Sequence, residues 1–100
     1  MNFEEANGIE VNGSSYRGVV NTTYEKLVTV FGPPQEGPHD RTLDKITCEW
    51  RLRFEDGDIV TIYDWKETDT PMGEYERHVG GFRSTALEKV TKALESLKGD

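Results

Sequence analysis

A chain of 100 residues that is 34% hydrophobic and 31% charged describes one domain with a small core, its bulk supplied by ten aromatic side chains. Nineteen acidic against twelve basic residues leave a net charge of −7, a surface that repels phosphate backbones and argues against direct nucleic-acid binding. Solubility is reason enough for such a balance, and a basic protein partner is compatible with it.

Cys48 is the only cysteine, which excludes an intrachain disulfide and a cysteine metal cluster. The opening MNFEEANG is acidic and lacks an apolar signal core, and no apolar run approaches membrane-spanning length. The expectation is therefore a cytoplasmic protein with no membrane contact.

Residues 1–8 read as a frayed arm. Ile9-Glu10-Val11 followed by Asn12-Gly13 is a short strand and a hairpin signal, with Tyr16 to Val20 as the candidate partner strand. Thr22 and Glu25 then form a capping box, and Tyr24, Leu27, Val28 and Phe31 fall on one helical stripe. Gly32 and Pro33-Pro34 stop this helix, predicted over 22–31, and a polar loop runs on to Lys45.

The stretch from Ile46 to Trp65 reads as a hairpin turning at Asp56-Gly57. Its first strand alternates Cys48, Trp50, Leu52 and Phe54 with Glu49, Arg51 and Arg53, which defines an apolar face. A two-residue turn would set Trp50 opposite Tyr63. A three-residue Glu55-Asp56-Gly57 loop with a left-handed glycine sets Trp50 opposite Ile62 and Leu52 opposite Val60. A slip of one residue exchanges the faces of the whole second strand. The bulged loop is favoured, because it gives the helices an aliphatic partner face and avoids setting Glu55 against Asp58.

After a polar loop, Glu74 to Phe82 reads as a further strand ending at Gly80-Gly81. Ser84 or Thr85 caps a second helix over 84–98, with Thr85 and Glu88 as a capping box and Leu87, Val90, Leu94 and Leu97 as its stripe. The predicted fold is α+β: one domain over 1–100, an antiparallel sheet of three to five strands, and both helices packed on one face.

Catalytic chemistry finds little support. Cys48 on an inward strand face is an inert hydrophobe, and Ser14 and Ser15 lie in no nucleophile elbow. His78 shares a strand face with Glu76, the one pairing that suggests a hydrolase. There is no metal-ligand spacing, no glycine-rich phosphate loop and no cofactor motif.

What remains is a surface. In the bulged register Arg51, Arg53, Tyr63 and Trp65, joined by Tyr75, Arg77 and His78, form an aromatic and basic patch on the outer sheet face. The competing expectation is that these rings complete a core beneath the N-terminal hairpin or against a second copy in a homodimer.

The run TTYEKLVTVFGPPQ, followed by EW-x-L-x-F-EDG, resembles the helix-to-hairpin unit of BamE-like (SmpA) and lactamase-inhibitor-like domains, though the lipoprotein signal and paired first helices of that family are missing. From Asn12 to Gly81, about two thirds of the chain, the segments NGSSYRGVVNTTYEKLVTVFGPPQ, FEDGDIVTIYDWK and HVGG are similar to small proteins that recur in tailed-phage genomes. That resemblance implies a phage accessory protein, one that acts on host machinery or host defence by binding and carries no assigned catalytic residue. The leading expectation is thus a non-enzymatic inhibitor of a host protein, working in the cytoplasm of an infected bacterium. A sequestering module for a small nucleotide, held by Tyr63, Trp65 and Arg51, is the alternative, and a hydrolase using His78 comes third.

Overall fold

The computed structural model describes residues 3–6, 13–34, 48–65 and 70–99. In chain order the elements are β1 (Phe3–Glu5), β2 (Ser15–Thr22), α1 (Tyr24–Phe31), β3 (Glu49–Phe54), β4 (Ile59–Tyr63), β5 (Tyr75–Gly81) and α2 (Thr85–Gly99). The strands form one sheet in the order β1-β3-β4-β5-β2, and every neighbouring pair is antiparallel. Both helices pack against this sheet, giving the α+β architecture read from the sequence.

The turn after Phe54 sets the faces. Gly57 takes φ +88°, its N–H donates to the Phe54 carbonyl at 2.9 Å, and the Phe54 N–H donates to the Asp58 carbonyl at 2.9 Å. Glu55 to Gly57 therefore form a three-residue loop, and Trp50 pairs with Ile62 and Leu52 with Val60. One face then collects Trp50, Leu52, Phe54, Val60, Ile62 and Val79, all buried against Leu27 and Phe31 of α1 and Ala86 and Val90 of α2. Gly81 permits the close approach of α2: a Cβ there would lie 2.7 Å from the Ala86 Cβ and 3.0 Å from the Ile59 carbonyl oxygen.

Three boundaries differ from the sequence expectations. The arm is not frayed at Phe3–Glu5, which forms an edge strand on β3, with Phe3 edge-on to Phe31 at 5.3 Å and to Phe54 at 6.0 Å. One apolar residue in an acidic run is too little pattern to announce a strand. At the start of α1 the cap is Thr23, whose Oγ1 accepts from the Lys26 N–H at 3.1 Å, because Thr22 is still the last residue of β2, paired with Tyr75. Of the two expected caps at α2, Ser84 precedes the helix and Thr85 lies inside it, its hydroxyl donating to Asp58 Oδ2 at 2.8 Å. The predicted Ile9–Val11 strand lies outside the described residues, and β2 pairs along β5.

That Asp58 contact fastens the β3–β4 loop to the first turns of α2. Asp58 is 1% exposed, and its Oδ2 accepts from both Thr85 and the Lys89 ammonium, the latter at 2.7 Å. Lys89 also reaches Asp56 Oδ2 at 2.6 Å. The hydrogen bond from Lys89, followed by that from the Asp58 N–H, holds the Asp56 carboxyl below its ordinary value of 3.8. For Lys89, desolvation is the largest influence and opposes the charge, but the hydrogen bonds to Asp56 and Asp58 outweigh it and raise the ammonium above 10.5.

The consequences for stability have opposite signs. The Asp56 contribution is complete above its unfolded value of 3.8 and fades as pH falls through the lower folded value; the Lys89 contribution is complete below 10.5 and fades as pH rises through the higher folded value. Melting temperatures measured across pH are expected to drop at both extremes, with Asp56→Asn flattening the acid side. Unchanged acid sensitivity in that variant would show that the loop clamp does not titrate.

Candidate binding site on the open sheet face

Alternation sends the remaining side chains to the sheet face opposite the helices. Two rows cross it: Glu49, Tyr63, His78 and Val19 are successive partners in one, and Arg51, Thr61, Gly80 and Tyr16 in the next. A bulge between Tyr16 and Gly18 places Tyr16 opposite Gly80, and the extra residue, Arg17, turns its guanidinium to the Gly81 and Phe82 carbonyls at 3.0 and 2.7 Å.

Four rings meet on this face. His78 lies 5.2 Å from Tyr16, 5.4 Å from Tyr63 and 6.1 Å from Trp65, and Tyr63 and Trp65 are 6.4 Å apart. Every pair is steeply angled, between 58° and 87°, as ring quadrupoles prefer. Neither helix covers them: Tyr16 is 58% exposed and Trp65 40%.

Between the rings is a cleft of about 200 Å³, with Tyr16, Tyr63 and Trp65 at its sides, Ser14 and Ser15 also lining it, and Glu49, Thr61 and Gly80 completing it. Gly80 creates the hollow, since a Cβ there would stand 2.6 Å from Thr61 Oγ1 and 3.6 Å from a Tyr63 ring carbon. Glu49 supplies the one charged side chain among the lining residues. Burial first, and then the charge of Glu49, pushes the Tyr63 phenol above its ordinary value, so this hydroxyl stays protonated and can donate. A larger hollow of about 270 Å³ lies at the β1 edge, but its Glu4 and Arg53 are already ion-paired with each other.

The sequence-predicted residues divide. Tyr63, Trp65 and His78 come together, and Arg51 and Arg53 share their face without lining the cleft: Arg51 binds Glu49 at 3.3 Å and Arg53 pairs with Glu4. Arg77 and Tyr75 are corrected. They alternate with His78 along β5 and therefore turn toward the helices. Arg77 is 1% exposed and donates to the Thr22, Pro71 and Gly73 carbonyls, its guanidinium 5.5 Å above the Tyr75 ring. Tyr75 touches the site only from behind, its hydroxyl 3.4 Å from the Trp65 backbone nitrogen.

Six of the eight described lining residues lie outside the sequence-predicted patch, among them Tyr16 and Thr61, the two strand partners of Gly80. The signal for these two was Gly80: a glycine inside a strand marks a place where something approaches closely, and its neighbours across the sheet are the residues to inspect.

Nothing in the cleft is arranged as a nucleophile and base. His78 meets rings and makes no hydrogen bond to a carboxylate among the described residues, and Glu76 is exposed. Burial, with Asp64 adding to it, pushes the Cys48 thiol up to about 12, so it is no thiolate at neutral pH. Among the described residues no three His, Cys, Asp or Glu gather as metal ligands, and no helix is long and apolar enough to cross a membrane. Compared with known proteins, the chain matches no family model, and no curated protein or solved structure is similar to it.

Proposed function

We propose that this chain is a non-enzymatic binding protein that docks a protein partner on the open face of its sheet, with Tyr16, Tyr63 and Trp65 as the anchor. The observation that carries this reading is the gathering of four rings on the face that neither helix covers. Exposed Tyr and Trp clustered around a small hollow are the residue types that dominate binding energy at protein interfaces. In keeping with the resemblance to phage proteins, the partner is a host protein, such as a component of a defence complex, and docking inhibits it.

A nucleotide is the weaker occupant on two counts. The cleft, at about 200 Å³, is smaller than the roughly 300–1,000 Å³ of small-molecule pockets and suits one inserted side chain. Its charged lining residue, Glu49, is a carboxylate that already holds Arg51, and Arg53 is paired with Glu4.

A photo-crosslinking residue at Trp65, in the full chain expressed in host cells, is expected to capture a host protein. The same residue at Glu95, on the exposed side of α2, is not. Excess wild-type chain should compete the product away, and Tyr63→Ala should remove it. Equal capture from both positions, or capture only of the chain itself, defeats the proposal.

A further inference from the structure

We infer that the outer edge of β2 pairs with β2 of a second copy of this chain, antiparallel and across a two-fold axis, so that two sheets join into one. β2 closes the strand order, and among the described residues its backbone pairs only with β5. The other side of an edge strand presents unpaired N–H and C=O groups at alternate residues, and the occupant they select is another strand. The opposite edge is unsuited, since β1 is the short acidic run Phe3–Glu5.

β2 carries few of the devices that keep an edge single. Its eight residues, SYRGVVNT, include no proline, no lysine and no acid. Its one charge, on Arg17, is turned inward onto the Gly81 and Phe82 carbonyls. The bulge between Tyr16 and Gly18 is the exception, and it leaves Gly18 to Thr22 as the regular stretch that can pair.

Two observations make the partner a second copy. The first is charge: at −7 per chain, copies repel over most approaches, and on β2 no acidic side chain meets its own image. The second is the helix above the edge. Leu87 of α2 sits over Gly18, where a Cβ would come within 2.8 Å of its Cδ2. Leu87, Thr91 and Leu94 share this flank of α2 and are half-buried, whereas Lys89 on the other flank reaches the β3–β4 loop. A two-fold axis standing on the sheet at β2 brings the Leu87 flank against its own copy in the same step. A strand from an unrelated protein would pair the backbone and leave that flank uncovered. A short strand pair alone buries less than the roughly 800 Å² per partner of a standard interface, and the flank enlarges it.

The experiment follows the purified full chain by sedimentation and amide hydrogen exchange from about 1 μM to about 1 mM. A reversible monomer–dimer equilibrium is expected, with alternate amides of Gly18 to Thr22 gaining protection as the dimer fills and the β1 amides unchanged. Added salt should tighten the dimer, because it screens like charges. Val19→Glu, with its fold checked by circular dichroism, sets acidic side chains near the axis in both copies and should weaken the dimer at least about tenfold. Ser96→Glu, which adds the same charge at an exposed site on the Lys89 side of α2, should not.

A chain that stays monomeric to about 1 mM overturns the inference. So does a dimer that leaves the β2 amides unprotected, one that salt dissociates, or one that Ser96→Glu weakens as much as Val19→Glu. Protection of those amides at every concentration would place the cover within one chain. Protection only on adding a host protein would assign the edge to that partner, and either result overturns the inference too. Trp65 follows β4, two strands in from this edge, so its cross-link to a host protein and the dimer are read independently.

Discussion

Trp50→Ala is expected to lower the free energy of unfolding by about 3–5 kcal/mol, against about 1 kcal/mol or less for Trp65→Ala. The two tryptophans differ by the face they occupy. Trp50 is fully buried, packs edge-on against Tyr24 at 5.5 Å, and donates its indole N–H to the Gly32 carbonyl at 2.8 Å. That carbonyl belongs to the residue that ends α1, with φ +83° and an N–H returned to Val28. Removing the indole thus opens a cavity under the helix and strips a hydrogen bond from its stop. Trp65 has 40% of its surface in water and packs edge-on to Tyr63 and tilted to His78. Urea unfolding followed by far-UV circular dichroism reads both values. The reverse order would place the β4 side chains on the wrong faces.

Asp58→Ala carries the other large effect, about 3 kcal/mol of lost stability, toward the low end for breaking a buried ion pair because Lys89 keeps Asp56. The carboxylate is buried, takes the Thr85 hydroxyl and the Lys89 ammonium on one oxygen, and among the described residues has no hydrogen-bond partner for the other, Oδ1. Losing it leaves a hydroxyl and a partly buried ammonium short of an acceptor, and unties the β3–β4 loop from α2. Asp56→Ala, at an exposed site, is expected to cost far less. Urea midpoints of the two variants provide the comparison, and equal losses would mean that the loop clamp works through Asp56. Neither variant touches the open face, so partner capture through Trp65 should persist wherever the protein stays folded.

The route from sequence to site was uneven for identifiable reasons. The hairpin register was readable because two local facts agreed: a left-handed glycine at position 57 and an apolar alternation that only one pairing satisfies. The face of Tyr63 and Trp65 followed from it. Assigning Arg77 and Tyr75 to the same patch as His78 failed on parity alone, since odd and even positions of β5 look in opposite directions. A buried guanidinium breaks the usual rule for charged residues, and the three carbonyls that receive it, the Tyr75 ring and the charge of Asp64 make the position tolerable.

Local chemistry in the sequence determined the helices, the glycine stop of α1, the bulged turn and the apolar face of β3, because each depends on residues within a few positions of one another. The tertiary structure alone decided that β2 lies along β5, and with it that Tyr16 stands beside His78 and across Gly80 from Thr61. Strand partnership between distant segments is chosen by what the whole sheet buries, a quantity no single stretch of sequence contains.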